Sequence, residues 1–359
     1  MTPVEPPSKR RILLTGATGY LGANLLRRLL ADGEEVRVLL RHGSGSESLA
    51  GLEVERVYGD LRDAEAVHAG MRDVTQVYHC AAKTSWVAGN AASRRELFEI
   101  NVIGTRNVLD AAHRAGVERV VATGSFAAVG SERSDPLLPV NEAVPYDPFA
   151  RNLPYQTTKA FAEQECWKAA ATGLDVVVAT PTVLIGPHDY KLSRFGGLLC
   201  DFAHQRLRSF APGGVEFGSI RDICEGHLLA MKSGRCGEKY LLSSEYLTAD
   251  GLMELFEEVT QVPRPRMRLP GTLMGGFSRV LEAARVSERV RGWASSGIWR
   301  LMHLRRHADI SKARLELGYT PTGIAPAVRE AYEHFVERGM IRFDLARGHR
   351  RYPGVFGRA

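Results

Sequence analysis

Three glycines spaced three apart, Gly16, Gly19 and Gly22, lie in the octet Thr15-Gly16-Ala17-Thr18-Gly19-Tyr20-Leu21-Gly22. The octet follows directly on the apolar run Ile12-Leu13-Leu14. A buried run that meets closely spaced glycines and then a helical pattern reads as a strand turning sharply into a helix. Only glycine lets backbone make such a turn and approach a phosphate closely. The helix that follows turns its unpaired N–H groups and positive dipole end toward the phosphates.

The rest of the first half repeats this rhythm. Short apolar runs predict strands near 11–15, 35–40, 53–58, 75–80, 118–123 and 174–180, with a further strand at 238–243. Between them, helical patterns cover 20–32, 63–70, 92–115 and 155–172. Strands alternating with helices signal βαβ units and a parallel sheet. Leu21, Leu25, Leu26, Leu29 and Leu30 supply the buried face of the first helix, which Asp32-Gly33 ends.

After Pro181 the alternation breaks. Residues 186–216 are rich in Gly, Pro and Arg and read as a loop-and-helix lobe, with helices again at 250–261 and 322–338. Residues 264–306 carry Arg264, Arg266, Arg268 and Trp293 beside Leu and Met. This stretch reads as a lid over an apolar substrate; peripheral membrane contact and a homodimer face are the alternatives.

Composition narrows the function classes. The net charge of +6 comes from 39 Arg and 8 Lys spread along the chain, without a dense basic block interleaved with aromatics, so no nucleic-acid partner is expected. The five cysteines form no C-x-x-C pair, which predicts reduced thiols in a cytoplasmic protein. Residues 1–10 read as a loose polar tail without an apolar signal core. No apolar run reaches the ~18 residues needed to cross a bilayer. His303 and His307 stand four apart with Leu-Arg-Arg between them; cation repulsion argues against a metal there, and no metal is expected.

The end of the second strand should lie beside the adenosine ribose of a dinucleotide. An acidic residue there accepts from the ribose hydroxyls of NAD. This chain has Arg41, a partner for a 2′-phosphate instead, with Ser44 and Ser46 as further hydroxyls. NADP is therefore the expected cofactor. Asp60, after the third strand, could accept from the adenine amino group or cap the helix near 63. Ala81 and Ala82, after the fourth strand, are small enough for a cofactor to pass close by.

Tyr155 and Lys159 stand one turn apart on a predicted helix, so they share a face. A neighbouring ammonium lowers the pKa of a phenol, bringing it toward a useful range for proton transfer. Ser125 follows the fifth strand, on the edge of the sheet where ligands bind, and can donate to a carbonyl that gains negative charge. A serine capping a turn is the plainer alternative. Asn101 lies mid-helix, where Asn is a poor fit. Its side chain or a loosened carbonyl could hold a water that relays protons to Lys159; a satisfied helix kink is the alternative.

In order along the chain come the glycine octet, Asp60-Leu61, His79-x-Ala81-Ala82, Asn101-Val-x-Gly-Thr-x-Asn107, Ser125 with Gly130, Tyr155-x-x-x-Lys159 and Pro181-x-x-x-x-Gly186-Pro187. Nearly end to end, the chain resembles the extended short-chain dehydrogenase/reductases, most closely the dihydroflavonol-reductase and 3β-hydroxysteroid-dehydrogenase-like branch. The resemblance implies an α/β Rossmann fold, a doubly wound parallel sheet with a smaller C-terminal substrate lobe. It assigns 11–181, with 217–245 and 306–321 returning, to the NADP-binding domain, and 182–216, 246–305 and 322–359 to the lobe. It implies NADPH-dependent reduction of a ketone on a hydrophobic molecule. Tyr155 would act as acid, Lys159 would tune it and bind ribose, Ser125 would hold the carbonyl, and Asn101 would relay protons. Further cofactor contacts are implied for Gly16, Thr18, Gly19, Tyr20, Leu21, Gly22, Arg41, Asp60, Leu61, Ala81, Ala82, Lys83, Thr123, Pro181 and Val183. The alternatives are an NAD(P)-dependent epimerase, a 3β-hydroxysteroid-type dehydrogenase, and a non-catalytic NADP-sensing protein. The chain departs from the pattern at Gly124, normally a small hydroxyl residue, at Thr180, normally Arg, and at 217–222, normally more apolar.

Overall fold

The apolar run ahead of the glycine octet becomes an interior strand of a large parallel sheet, next to its central strand. The computed structural model describes residues 11–44, 47–85, 89–130, 138–149, 153–210, 212–268 and 305–342. The tail 1–10, Ser46, His303 and most of the stretch read as a lid, 269–304, lie outside the described residues.

Strands β1 (Arg11–Thr15), β2 (Glu35–Leu40), β3 (Glu55–Tyr58), β4 (Gln76–His79), β5 (Arg119–Thr123) and β6 (Val176–Pro181) join the later β10 (Lys239–Leu242). They form one seven-stranded sheet in the order β10-β6-β5-β4-β1-β2-β3, every pairing parallel. The strand order reverses beside β1, and such a switch point opens a crevice at the carboxyl ends of the strands. Neighbouring side chains of a strand point to opposite faces. Leu13 accordingly packs with Val77, Val108 and Val120 on one face, and Leu14 with Leu25, Ile223 and Tyr240 on the other. Both faces are covered by helices, as a parallel sheet requires.

The covering helices are α1 (Tyr20–Ala31), α2 (Ala64–Gly70), α3 (Ala91–Phe98), α4 (Gly104–Ala115), α5 (Pro154–Ala171) and later α7 (Ile220–Ser233). The predicted long helix over 92–115 is thus divided. Residues 99–103 form a π-turn between α3 and α4, and Asn101 sits at its centre. The irregularity that an interior Asn suggested is a π-turn, flanked on both sides by helical backbone.

The remaining elements build a second apolar cluster. Strands β7 (Val183–Ile185), β9 (Gly214–Ser219) and β11 (Glu245–Thr248) make a three-stranded sheet in the order β11-β9-β7. A short pair, β8 (Ser209–Phe210) and β12 (Met267–Arg268), lies apart from it. Helices α6 (Arg194–Ala203), α8 (Ala249–Thr260) and α9 (Ile324–Glu337) enclose a core of Leu199, Phe217, Phe256, Val328 and Phe335. The loss of strand–helix alternation after Pro181 reflects this change of architecture. Helix α7 is absent from the sequence expectations, although Ile220, Ile223, Cys224, His227, Ala230 and Met231, all buried, are spaced for one helical face. Arg221, at its start, reaches Glu330 of α9 at 2.9 Å, so it ties the two parts of the chain. Among the described residues no helix is long and apolar enough to cross a membrane.

Candidate active site

The glycine turn is built for close approach. Gly16 has φ +79, and a Cβ there would lie 2.6 Å from the Ala81 backbone nitrogen. A Cβ on Gly22 would lie 2.2 Å from the Gly16 carbonyl oxygen. Strand end β4 and helix α1 are therefore packed backbone against backbone around the turn. Gly19 is the N-cap of α1 and offers no side chain to satisfy its first N–H groups. Such a cradle suits the pyrophosphate of a dinucleotide. Thr18 lies within the turn, Tyr20 and Leu21 open α1, and Ala81, Ala82 and Lys83 follow the end of β4. Lys83 pairs with Glu96.

A buried hydrogen-bond chain fixes this edge. The Ala81 N–H donates to Thr15 Oγ1 at 3.3 Å, and Thr15 Oγ1 lies 2.8 Å from His79 Nδ1. His79 Nε2 lies 3.0 Å from Thr105 Oγ1, which itself donates to the Asn101 carbonyl at 2.6 Å. Because the Thr105 proton is committed to Asn101, His79 must donate from Nε2 and accept at Nδ1. Burial, and secondarily Lys159, hold the His79 pKa down at about 3, so the ring stays neutral.

Asp60 does not cap α2. That role falls to Asp63, which accepts from the Glu65 and Ala66 N–H groups. Asp60 is instead gripped by Arg62, through two side-chain bonds of 2.9 and 2.8 Å and a 2.9 Å bond to its backbone N–H. These contacts hold its carboxyl down at about 2. Leu61 is pinned from below: Asn107 donates to its carbonyl at 2.8 Å, and Gly104 leaves room for its Cβ. The Asn-Val-x-Gly-Thr-x-Asn segment thus secures the Asp60-Leu61 corner.

Ser125, Tyr155 and Lys159 meet at the carboxyl end of β5. Ser125 caps a turn and also meets Tyr155. Its Oγ accepts from Ala127 N at 3.3 Å, capping a short turn, and its hydroxyl bonds the Tyr155 hydroxyl. Tyr155 is buried, which pushes its pKa above the ordinary value; the Ser125 bond only partly offsets this. The expected lowering of Tyr155 by Lys159 is therefore not what this arrangement produces. Lys159 is also buried, and its ammonium donates to the Thr123 carbonyl at 2.5 Å. Burial pushes its pKa down, opposed chiefly by Glu163 and then by Cys166 and Cys80. Thr123 Oγ1 lies between Cys80 Sγ (3.3 Å) and His227 Nε2 (3.1 Å). Pro181 is buried at the end of β6, and Val183, half-buried, opens β7.

The Asn101 side chain is committed elsewhere than to a relay water. It accepts from Lys83 N at 2.7 Å and donates to Lys83 O at 2.9 Å and to Thr158 Oγ1 at 3.0 Å. Thr158 in turn donates to the Tyr155 carbonyl. Asn101 thus staples the π-turn to the foot of the Tyr155 helix.

Residues beyond the predicted set complete the site. Glu163, one turn after Lys159, pairs with Lys239 of β10 at 3.2 Å, both side chains being more than nine-tenths buried. The two departures Gly124 and Thr180 adjoin this pair. A Cβ on Gly124 would lie 2.3 Å from Thr180 Oγ1 and 3.0 Å from Glu163 Oε1. Helical spacing from Tyr155 could have flagged Glu163. Lys239 could not have been found so, because it arrives on a strand 76 residues later. Arg306 is the other addition. Its buried guanidinium donates to the carbonyls of Phe126, Val129 and Gly130 and stacks over the Phe126 ring, bracing the loop that carries Ser125.

Comparison with known proteins agrees with this geometry. Residues 12–243 match the family described as NAD dependent epimerase/dehydratase family. The chain is 42% identical to sterol demethylase protein B of Methylococcus capsulatus over 332 residues, 92% of this chain and 99% of that one. It is 32% identical to a putative dihydroflavonol 4-reductase of Synechocystis, over 92% of this chain and 95% of that one. The solved structure of gox2253 superposes with a TM-score of 0.80 at 28% identity, covering 92% of this chain and 99% of that one.

Proposed function

Since the chain belongs to the NAD dependent epimerase/dehydratase family, within the extended short-chain dehydrogenase/reductases, we propose that it is a cytoplasmic NADPH-dependent reductase acting on a ketone of a hydrophobic small molecule. The observation that carries this reading is the buried Tyr155 hydroxyl bonded to Ser125, on the same carboxyl edge of the sheet as the glycine turn. Burial keeps that phenol protonated at neutral pH, as an acid that delivers a proton to a ketone oxygen must be.

When bound, NADPH supplies the hydride. Gly16, Thr18, Gly19, Tyr20, Leu21 and Gly22 would hold its pyrophosphate, and Arg41 its 2′-phosphate. Asp60, Leu61, Ala81, Ala82 and Lys83 would line the adenosine and phosphate path, and Pro181 and Val183 the nicotinamide end. Ser125 donates a hydrogen bond to the substrate carbonyl as charge grows on its oxygen, and Tyr155 gives that oxygen a proton. Lys159 uses one of its three N–H groups on the Thr123 carbonyl, which leaves two for ribose hydroxyls. A proton relay through the Asn101 carbonyl would use its second lone pair, since the first accepts from Thr105.

The name of the 42% identical relative supports a sterol-like substrate and keeps a second reading, oxidation of a ring alcohol, in play. The free cysteines fit a reducing compartment. Phe98 of α3 and Phe161 of α5, exposed and edge to face, support a homodimer through those helices.

The test is NADPH consumption with a panel of cyclic apolar ketones. Tyr155→Phe should cut turnover by at least ~100-fold while leaving NADPH affinity unchanged. Arg41→Ala should weaken NADP binding by roughly 10- to 100-fold and NAD binding little. Unchanged turnover in Tyr155→Phe would sink the catalytic reading and favour a sensor. Tighter binding of NAD than NADP by the unmodified protein would sink the cofactor assignment.

A further inference from the structure

The loop after β7 is docked on the first helix of the dinucleotide cradle. Tyr20 Oη donates to the Gly186 carbonyl at 2.8 Å, Asn24 Nδ2 to the Pro187 carbonyl at 3.0 Å, and Arg27 to Tyr190 Oη at 2.8 Å. Inside the loop the buried Asp189 accepts from the Ser193 N–H at 2.6 Å. His188 and Leu192 take left-handed backbone, φ +60 and +54, which bulky residues adopt only where surrounding contacts dictate it. The outcome of this tightly specified path is that Lys191 Nζ is brought to 3.3 Å from Thr18 Oγ1, within the glycine turn.

Lys191 has an unusual setting for a surface lysine. Among the described residues neither it nor Arg41 forms an ion pair, and burial followed by repulsion from Arg41 pushes the Lys191 pKa down. The two cations repel each other near the phosphate cradle, and the carboxylates that also feel Arg41, Asp60 and Glu96, are already paired with Arg62 and Lys83. That costs energy in the free protein and is offset when a dianion sits between them. Arg41 directly follows β2, where the 2′-substituent of the adenosine ribose lies in this kind of fold.

We propose that Lys191, held against Thr18, is the second cation, with Arg41, for the 2′-phosphate of NADP. This rests on the NADPH reading above and deepens it. It also means that selectivity for the phosphorylated cofactor is shared between the large sheet and the loop leading into α6. NADP, unlike NAD, would then tie that loop to the glycine turn.

The experiment is calorimetric titration of NADP, NAD and 2′,5′-ADP into the full chain and its Lys191→Ala, Lys191→Arg and Arg41→Ala variants. Lys191→Ala should lose on the order of 10-fold in affinity for NADP and for 2′,5′-ADP, with NAD affinity held and Lys191→Arg close to the unmodified protein. The extra thermal stabilisation that NADP gives over NAD should shrink in the same variant. If Arg41→Ala weakens NADP and Lys191→Ala does not, the Lys191 assignment falls and the NADPH reading stands. Equal loss for NADP and NAD in Lys191→Ala would overturn the 2′-phosphate as its target. If the unmodified protein binds NADP no better than NAD, both fall together.

Discussion

Replacing Glu163 by Gln should destabilise the protein more than any comparable change of one atom in this site. Glu163 sits two turns beyond Tyr155 on α5 and is the buried counter-charge of two lysines. It pairs with Lys239 at 3.2 Å and is the chief group opposing the burial-driven fall of the Lys159 pKa. Its own carboxyl is pushed up by burial, against the pull of Lys239 and then Lys159. The amide keeps the shape and removes the charge, leaving both ammonium groups buried without compensation. Breaking a buried pair by removing one partner costs about 3–5 kcal/mol. Unfolding entropy of about 2.1 cal/mol/K per residue makes about 3 kcal/mol a fall of ~4 °C in Tm for a chain of 359 residues. Lys239→Met should cost a similar amount by removing the hydrogen-bonded partner of the carboxylate and leaving it only Lys159. The double variant should cost well below the sum, with a coupling of about 2 kcal/mol or more. Urea denaturation at neutral pH measures all four corners of the cycle. Single losses below about 1 kcal/mol, or simple additivity, would refute the view that this pair is a buried, mutually dependent unit.

Two further outcomes follow from buried groups. His79 and His227 are held at about 3 and about 4 by burial, against about 6.5 in the unfolded chain. A lowered folded-state pKa means their contribution is complete above about pH 6.5 and drains away as pH falls through 4 and 3. While both are neutral only in the folded state, they add a slope of about 2.7 kcal/mol per pH unit, and His79→Gln should remove about half of it. An unchanged slope in urea denaturation between pH 6 and 4.5 would count against this assignment. Arg306→Met should free the carbonyls of Phe126, Val129 and Gly130, at a cost of about 2–4 kcal/mol. Amide exchange over 126–130 should speed up, and if it does not, the guanidinium does not brace that loop.

Much of the architecture is visible in local pattern. The octet announces the turn from β1 to α1, because a sharp strand-to-helix turn tolerates only small residues at its contact points. The Asn at position 101 announces a flaw in a long helix, and a π-turn is there. Tyr155 and Lys159 announce a shared helical face. Less legible was what each polar group would touch. Asp60 looked equally suited to capping α2, and its neighbour Arg62 claimed it. Arg221 had no evident partner until α9 brought Glu330 to it.

What the sequence alone determined is what depends on residues near one another in the chain: strand and helix periods, the glycine turn, and the presence of a Ser, a Tyr and a Lys between the fifth and sixth strands. What only the tertiary structure decided is the electrostatic state of the site. Whether Lys159 lowers the Tyr155 pKa depends on where its ammonium points, and it points to the Thr123 carbonyl. Whether Lys159 has a counter-charge depends on Glu163, whose own partner Lys239 lies on a strand far along the chain. Burial and pairing between distant segments set those terms, and neither is written in any short stretch of residues.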